Sequence, residues 1–466
     1  MLSKGKLGFW ALTALVFGLM VGVGIYNLPQ NMAAAASPGG VALAWVITAL
    51  GILPLVIAFN WLSDRYPQYN AGIYQYAQAE FGNYAGFNIA WGYWLCTAFS
   101  NVTYAVMLND SVGAFIPALN RHGWETVLFG SSLIWLMYYI VSRGLQTANF
   151  INSFLAVLKV LMLVFIVTVF AIGFKLDLFE SDFWGGQLPG DGDDLGSQVK
   201  SCMMVTLFCF FGVEGAVMMS ARARKPSDVG RAGAAGFTIS LVLYLAVSLL
   251  CFGLLSKAKL AGLPDPSIAY ILRESCGEWA YWFVISAVIV SLLGGWVAWT
   301  LVVAQVPYEA ALVGILPSHF RRLNRHDMPS FGLFASSVVM NLFLIMVVMA
   351  DNVYLTSLHI TGLMIIPCYL FTGLFLLKKA DSPAMRIVAV VTVLFCCWMA
   401  YAGGLKELMM TSVFYCIGVG FFIQARREYN IRHNLVHGQI FKVGEKWTFA
   451  ILLLLSLITL AILARG

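Results

Sequence analysis

Apolar runs of membrane-crossing length follow one another along almost the whole chain, and they constrain the fold more than any other feature. A helix needs about 20 apolar residues to cross the core of a bilayer. Of the 466 residues, 60% are hydrophobic and 11% are charged, whereas soluble domains carry about 25% charged residues. The sequence therefore predicts an all-α, polytopic membrane protein with about thirteen transmembrane helices. The expected spans are 10–35, 41–62, 86–117, 124–142, 149–173, 201–220, 233–256, 280–312, 331–349, 354–377, 386–402, 406–425 and 447–464.

Basic residues in alternate loops indicate which ends of these helices face the cytoplasm. Lys4 precedes the first span, and further clusters lie around Arg224, Arg321 and Lys378. Because Lys and Arg accumulate in cytoplasmic loops, we expect the N-terminus to be cytoplasmic. The acidic segment FESDFWGGQLPGDGDDLG then falls on the external side. We expect a multi-pass protein of the bacterial inner (plasma) membrane, surrounded by lipid.

Charge and cysteine usage argue against several other classes of protein. The net charge of +6 follows from the basic loops, so we expect no nucleic-acid partner. The nine cysteines lie almost entirely in apolar runs without CxxC spacing, and the six histidines are scattered, which predicts neither a disulfide framework nor a metal site. We find no nucleophile with a base partner, no phosphate loop and no cofactor motif, so we do not expect an enzyme. Sparse intramembrane polar residues argue against a channel.

Two spans contain residues that break a helix. The first includes MVGVGIYNLPQN, with Gly22 and Gly24 two residues apart, and the sixth includes FCFFGVEGAVMMSARARK, with Gly212 near its middle. A helix-interior glycine costs roughly 1 kcal/mol relative to alanine. Spans one and six are five apart, the spacing of a five-plus-five inverted repeat whose discontinuous helices bind substrate at the midplane. The sequence therefore predicts such a core, with helices 1 and 6 discontinuous.

The exposed ends of broken helices predict what they bind. Backbone N–H groups freed at Gly22 to Gly24 begin a half-helix with a positive dipole, which favours a carboxylate. Carbonyls freed at Gly212 and Val213 would accept an ammonium group. A single break is more often a packing glycine or a kink. Two breaks at matching positions favour recognition of an α-amino acid by its backbone groups.

Two charged residues lie within apolar spans, where an ionisable group is a candidate for function. Glu214 would pair with a cationic substrate, carry a proton or hold a gate shut, and the alternative is a structural partner for an internal hydroxyl or lysine. Lys159 would brace helices one, five and eight or sense pH. We favour these roles for Lys159 over substrate contact.

Several motifs together resemble the basic amino acid/polyamine antiporters of the amino acid-polyamine-organocation (APC) superfamily. They are G-x-G followed by LPQN, WGYW and then SN in helix three, GVEGA in helix six, and GGWVAWTLVVAQVP in helix eight. Among the members, NLPQNMA, SARAR and the thirteenth helix look most like the arginine/ornithine antiporters. The resemblance covers nearly the whole chain. It implies a ten-helix inverted-repeat transport core over 1–377, additional transmembrane helices 11 to 13 over 378–466, and a possible homodimer.

The resemblance also implies roles for residues around the first break. Val23 and Gly24 would present backbone amides to the substrate carboxylate, and Asn101 would touch the distal end of the substrate. Phe208 stands where arginine/agmatine members have a gating tryptophan over the substrate, and Trp299 matches a second aromatic wall. Phenylalanine keeps a π-face for a cation but lacks the indole N–H.

A gate on the cytoplasmic side of the site is implied as well. Tyr93 and Glu214 match two of its members. The third, a tyrosine in helix ten, would follow a proline directly, whereas here Cys368 separates Pro367 from Tyr369. We assign this position to Tyr369.

Two further ionisable residues have no assigned role. The register of helix ten decides whether Ser357, His359 or Thr361 faces the pocket, and an interior histidine is more often a packed residue than a ligand. Asp110 lies roughly 13 Å beyond Asn101 along helix three. With a cytoplasmic start of that helix, Asp110 would be near the external mouth.

These observations predict an antiporter that exchanges a cationic amino acid for an amine by alternating access. Arginine against ornithine is the favoured pair, while arginine/agmatine, lysine/cadaverine and histidine/histamine exchange stay open. The rival is a proton-coupled cationic amino acid transporter with Lys159 or Glu214 as the titrating group. The expected partners are small-molecule amino acids and amines, and no cofactor is expected.

Overall fold

The computed structural model describes residues 8–69, 72–121, 123–186, 194–218, 223–349, 353–435 and 438–463. Within these ranges the regular structure is helical, apart from isolated bridges such as that between Leu323 and Pro329. The helices are α1 Phe9–Met20, α2 Leu28–Ala35, α3 Pro38–Arg65, α4 Tyr74–Phe81, α5 Asn83–Gly113, α6 Trp124–Ser142, α7 Leu145–Gly173, α8 Leu176–Glu180, α9 Leu195–Cys209, α10 Gly215–Met218, α11 Pro226–Leu250, α12 Lys257–Ala261, α13 Ser267–Cys276, α14 Glu278–Leu312, α15 Ser330–Val348, α16 Val353–Lys379, α17 Pro383–Ala402, α18 Leu405–Ile417, α19 Val419–Arg432 and α20 Val443–Leu463.

The helices confirm a polytopic, all-α membrane fold. In the described residues, nine helices are long and apolar enough to cross a membrane, and the bent pair formed by α1 and the segment Val23–Ala35 makes a tenth. Helices also lie at the three other expected spans, as α5, α7 and the pair α9 and α10. Every one of the predicted spans therefore contains a helix.

Both predicted breaks are present, and they lie side by side. The first span is bent by 46° between Met20 and Val23, and a 3-10 helix, Val23–Asn27, leads into α2. The sixth span is interrupted by turns between Cys209 and Gly215. A Cβ atom at Gly212 would lie 3.0 Å from backbone and side-chain atoms of Leu19, so α1 packs directly against the second break.

One end of the bundle carries Arg65, Lys225, Arg321 and the lysines that end α16, and we call it the basic end. Ion pairs join α4 to α16 there: the two carboxylate oxygens of Glu80 lie 3.2 Å and 2.8 Å from the ammonium groups of Lys378 and Lys379. The Glu445 carboxylate accepts the Tyr84 N–H at 2.9 Å, which ties the start of α20 to the start of α5.

At the opposite end, hydrogen bonds tie the second half of the first span and the residue before α3 to α9 and to the start of α13. The Ser37 N–H donates to Gln198 Oε1 at 2.9 Å, and the Gln198 amide donates to the Trp184 carbonyl at 3.1 Å. The Ser267 N–H donates to Asn27 Oδ1 at 3.1 Å. Hydrogen bonds to α9 and α13 thus hold the segment 27–37 in place.

Candidate functional site

At the first break, side chains from three other helices donate hydrogen bonds to the carbonyls at the end of α1. The Trp299 indole donates to the Leu19 carbonyl at 3.3 Å, the Tyr244 hydroxyl to the Met20 carbonyl at 2.7 Å, and the Lys159 ammonium to the Val21 carbonyl at 2.8 Å. The last carbonyls of a helix have no partner within it, and in an apolar interior each needs a donor. Lys159 and Trp299 thereby join spans five and eight to span one.

The backbone N–H groups that follow this break lie at the start of a helix, whereas the carbonyls before it lie at the end of one. The 3-10 helix begins at Val23, and the first N–H groups of a helix have no acceptor within it. Val23 and Gly24 are both buried. Because the helix dipole is positive at this end, the segment favours an anionic acceptor.

The two glycines of the first break each lie against a neighbouring ring. A Cβ atom at Gly22 would collide with the Tyr104 hydroxyl, and one at Gly24 would lie 3.3 Å from the ring of Phe208. Phe208 therefore lies over the start of the 3-10 helix. The spacing of the glycines reflects this close approach of α5 and α9 as well as the bend itself.

At the second break, Glu214 accepts hydrogen bonds from residues of three spans. Its carboxylate accepts from the Tyr93 hydroxyl at 2.8 Å, from the Tyr369 hydroxyl at 2.8 Å and from the Gly212 N–H at 3.2 Å. The residue is completely buried. The structure thus brings together the three predicted gate residues. Tyr369, and not Cys368, faces Glu214; the Cys368 thiol donates to the Ile89 carbonyl at 3.7 Å.

Gly212 makes this turn possible. Its φ is +106°, in the left-handed region where residues with a Cβ atom are rarely found. Its carbonyl accepts the Gly215 N–H at 2.9 Å, so this oxygen already has one donor. The turn aims the Glu214 side chain back toward the Gly212 N–H.

Helix α16 turns its small polar side chains toward α5. The Ser357 and Thr103 hydroxyls are 2.6 Å apart, and the Cys96 thiol donates to the Thr361 carbonyl at 3.2 Å. His359 is half-buried and lies within electrostatic range of Glu407 at the start of α18. The register of α16 therefore directs Ser357 to α5, whereas His359 points toward α18.

The aromatic residues of the site form a stack that the sequence did not suggest. Trp299 stacks on Phe211, with ring centroids 4.6 Å apart and ring planes 16° from parallel. Asn101 is linked to the backbone of Trp299: its amide donates to the Trp299 carbonyl at 3.4 Å and to the Thr97 carbonyl at 2.7 Å, and its oxygen accepts from the Thr300 hydroxyl at 3.2 Å. Asn101 therefore joins α5 to α14.

Asp110 lies apart from both breaks, near the end of α5 that is distant from the basic end. It is 8% exposed, and the Asn109 amide donates to its carboxylate at 3.2 Å. The same amide donates to the Leu119 carbonyl at 3.1 Å. Asp110 is thus part of the α5–α6 connection.

Three residues of the site were missed in the sequence: Tyr104, Phe211 and Tyr244. Tyr244 joins the two breaks, since its hydroxyl lies 2.7 Å from the Met20 carbonyl and 2.9 Å from the Cys209 carbonyl. A tyrosine within the apolar run SLVLYLAVS is the signal that would have identified it, because a buried hydroxyl needs a partner. In the part of the chain that the structure describes, no group of His, Cys, Asp and Glu is placed to hold a metal ion.

A sequence model described as "Amino acid permease" matches residues 7–405. The chain belongs to this family, within the APC superfamily. It is 40% identical over 441 residues to an arginine/agmatine antiporter of Chlamydia trachomatis serovar L2, covering 92% of this chain and 90% of the relative. It is 39% identical over 442 residues to arginine/agmatine antiporters of Chlamydia caviae and Chlamydia pneumoniae, covering 91% of each chain.

These relatives confirm the predicted superfamily and a transport function without catalysis. The protein is a multi-pass membrane permease of amino acids or amines. The names of the relatives pair arginine with agmatine, so they do not support ornithine as the exchange partner.

Proposed function

We propose that this permease exchanges arginine for agmatine by alternating access across the bacterial inner membrane. The observation that carries the proposal is the first break, where the carbonyls have donors from other helices and the buried Val23 and Gly24 amides begin the next helix. A carboxylate distinguishes arginine from agmatine, which lacks one. The names of the relatives supply the pair.

The first break supports binding of the carboxylate for an electrostatic reason. The partial positive charge of an amide N–H attracts an anion more strongly where hydrogen-bond donors offset the partial negative charges of the neighbouring carbonyl oxygens. Lys159 adds a positive charge at the Val21 carbonyl, two residues before the Val23 amide. We propose that Val23 and Gly24 hold the carboxylate here, as the resemblance implied.

The rest of the site suits a cationic side chain. Trp299 and Phe211 provide a stacked aromatic wall, and Phe208 lies over Gly24. A cation over an aromatic face gains up to about 2 kcal/mol when it is desolvated. We propose that the guanidinium group, common to arginine and agmatine, uses these aromatic residues, with Asn101 near its distal end.

Glu214 and its tyrosines support a gate between the site and the basic end. Tyr93 precedes Thr103 by ten residues along α5, roughly 15 Å, which places the Glu214 cluster nearer the basic end than the Thr103–Ser357 pair. By the positive-inside rule we assign the basic end to the cytoplasm, and hence a cytoplasmic N-terminus. The cluster then closes the cytoplasmic exit.

The names of the relatives favour exchange over proton coupling, and the contact of Lys159 agrees with a bracing role. Its ammonium group is engaged by the Val21 carbonyl, which fits a brace for the first break. A carrier driven by protons would accumulate arginine without any internal amine. Exchange requires that the empty carrier rarely reorients.

Counterflow in liposomes tests the proposal. Purified protein is placed in vesicles loaded with agmatine, ornithine or no amine, and entry of labelled arginine is followed. We expect rapid entry only with internal agmatine, and a dependence on membrane potential, since agmatine carries two positive charges and arginine one. Entry supported by ornithine and insensitive to potential would overturn the proposed pair. Equal entry into empty vesicles would overturn exchange itself.

A further inference from the structure

Tyr104 has a buried hydroxyl group whose proton has no acceptor beside the first break. The residue lies within α5 and is 1% exposed, and no acceptor for its hydroxyl proton is found in the described part of the chain. Buried polar groups are nearly always hydrogen-bonded, and an unpaired one calls for an explanation. A phenylalanine would fill the same space without that cost.

The Tyr104 hydroxyl lies between the first span and α14, at positions where both carry a glycine. A Cβ atom at Gly22 would collide with it, and a Cβ atom at Gly295 in α14 would lie 3.0 Å from it. The Val23 N–H and the Trp299 indole N–H approach its oxygen as donors. The Tyr104 hydroxyl thus reaches the start of the 3-10 helix that begins at Val23.

Nearby backbone acceptors are already engaged. The carbonyls of Leu19, Met20 and Val21 accept from Trp299, Tyr244 and Lys159. Tyr26, which is also buried in this region, is hydrogen-bonded to Ser291. The donors beside Tyr104 that these carbonyls do not engage are the backbone amides that begin the 3-10 helix at Val23, and donors grouped around one point favour an anionic acceptor from outside the chain.

We infer that the Tyr104 hydroxyl donates a hydrogen bond to the carboxylate of bound arginine, beside the amides of Val23 and Gly24. The inference rests on the proposed function and adds a specificity-determining residue to it. Agmatine has no carboxylate, so the hydroxyl gains no partner when agmatine binds. Tyr104 therefore sets the ratio of the two affinities without changing the aromatic contacts that both ligands share.

Isothermal titration of the purified full-length protein with arginine and with agmatine tests this role. Tyr104→Phe removes only the hydroxyl. A hydrogen bond to a charged group corresponds to roughly tenfold to a hundredfold in affinity. We expect the Kd for arginine to rise by at least about tenfold, while the Kd for agmatine stays within about twofold.

Tyr354→Phe is the matched control, because Tyr354 is 2% exposed and its hydroxyl also has no hydrogen-bond partner in the described residues. It should leave the ratio of the two affinities unchanged. Tyr104→Met provides a second variant if Tyr104→Phe does not fold, and it should shift the ratio in the same direction.

Equal weakening of both ligands, or no change for arginine, would overturn the role of Tyr104 while the wild-type protein still bound and exchanged the pair. A wild-type protein that binds neither ligand would instead overturn the proposed function.

Discussion

At the first break, three backbone carbonyls accept hydrogen bonds from Trp299, Tyr244 and Lys159, and at the second break one carboxylate, Glu214, accepts from two tyrosines and a backbone amide. The two breaks adjoin, and each interrupts a membrane span at glycines. Their electrostatics are nevertheless opposite. Donors from elsewhere in the bundle surround the first, and a buried acid is the centre of the second.

This difference indicates that the two breaks have separate functions: the first binds substrate, and the second joins helices at the gate. At the first break these donors offset the carbonyls, and the positive end of the helix that begins at Val23 follows, so we place the substrate carboxylate there. At the second break, the carboxylate of the protein itself satisfies the donors, which joins spans three, six and ten. Tyr244 connects the two breaks, so a ligand at one is able to affect the packing of the other.

Removal of the acid at the second break should have the largest effect. Glu214→Ala leaves the Tyr93 and Tyr369 hydroxyls and the Gly212 N–H without their acceptor, and each unpaired buried group costs about 1–3 kcal/mol. We expect a fall of several degrees in the unfolding temperature in detergent and loss of arginine exchange. Glu214→Gln keeps an acceptor oxygen and should retain part of both. A stable and fully active Glu214→Ala variant would contradict a gate at this position.

Adding a side chain at Gly22, where the first span contacts Tyr104, should have the next largest effect. In Gly22→Ala the new methyl group collides with the Tyr104 hydroxyl, and overpacking of this kind costs about 1–3 kcal/mol. We expect arginine affinity, measured by titration calorimetry, to fall at least tenfold (about 1.4 kcal/mol). Gly18→Ala is the control in the same span, since a Cβ atom there meets nothing within 4 Å. Similar losses in both variants would show that any change in the first span impairs binding.

Lys159 sharpens the comparison because it is the only full positive charge that the structure places on the first break within the described residues. In Lys159→Met the Val21 carbonyl loses a charged donor that contributes about 1.5–3 kcal/mol. We expect weaker arginine binding and reduced stability, with the shape of the pH profile of exchange unchanged. If arginine affinity were retained and the pH dependence of exchange disappeared, Lys159 would act in proton transfer instead.

An exposed ion pair remote from both breaks gives the smallest effect. Arg65 and Asp381 lie 3.1 Å apart at the basic end, with side chains 62% and 51% exposed. Such pairs contribute about 0.2–1 kcal/mol. Arg65→Ala should leave exchange unchanged and shift the unfolding temperature by no more than about two degrees. A large loss of exchange would show that the ends of α3 and α16 must be joined during transport.

The spans and the breaks were predictable from the sequence for simple physical reasons. Membrane thickness fixes the length of an apolar run, and closely spaced glycines weaken a helix locally. Proline alone was a poorer guide: Pro54, Pro307 and Pro367 all lie inside continuous helices. In a membrane bundle, neighbouring groups can satisfy the carbonyl that a proline leaves free.

The contacts between spans were less predictable. Glu214 stood out because a charge in an apolar run is costly, and its tyrosines were identified only through a family resemblance. Tyr244 and Phe211 were missed, since a tyrosine or phenylalanine in an apolar run gives no indication of which distant helix it faces. Gly22 was predicted as part of a break, yet the side chain that requires it, Tyr104, lies on another span.

A structure of the protein with bound arginine tests the division between the breaks most directly. We predict the arginine carboxylate within about 3 Å of the Val23 and Gly24 nitrogens, with the Glu214 cluster unaltered or opened as a unit. A carboxylate placed at the second break, or a guanidinium group bound directly to Glu214, would contradict this account.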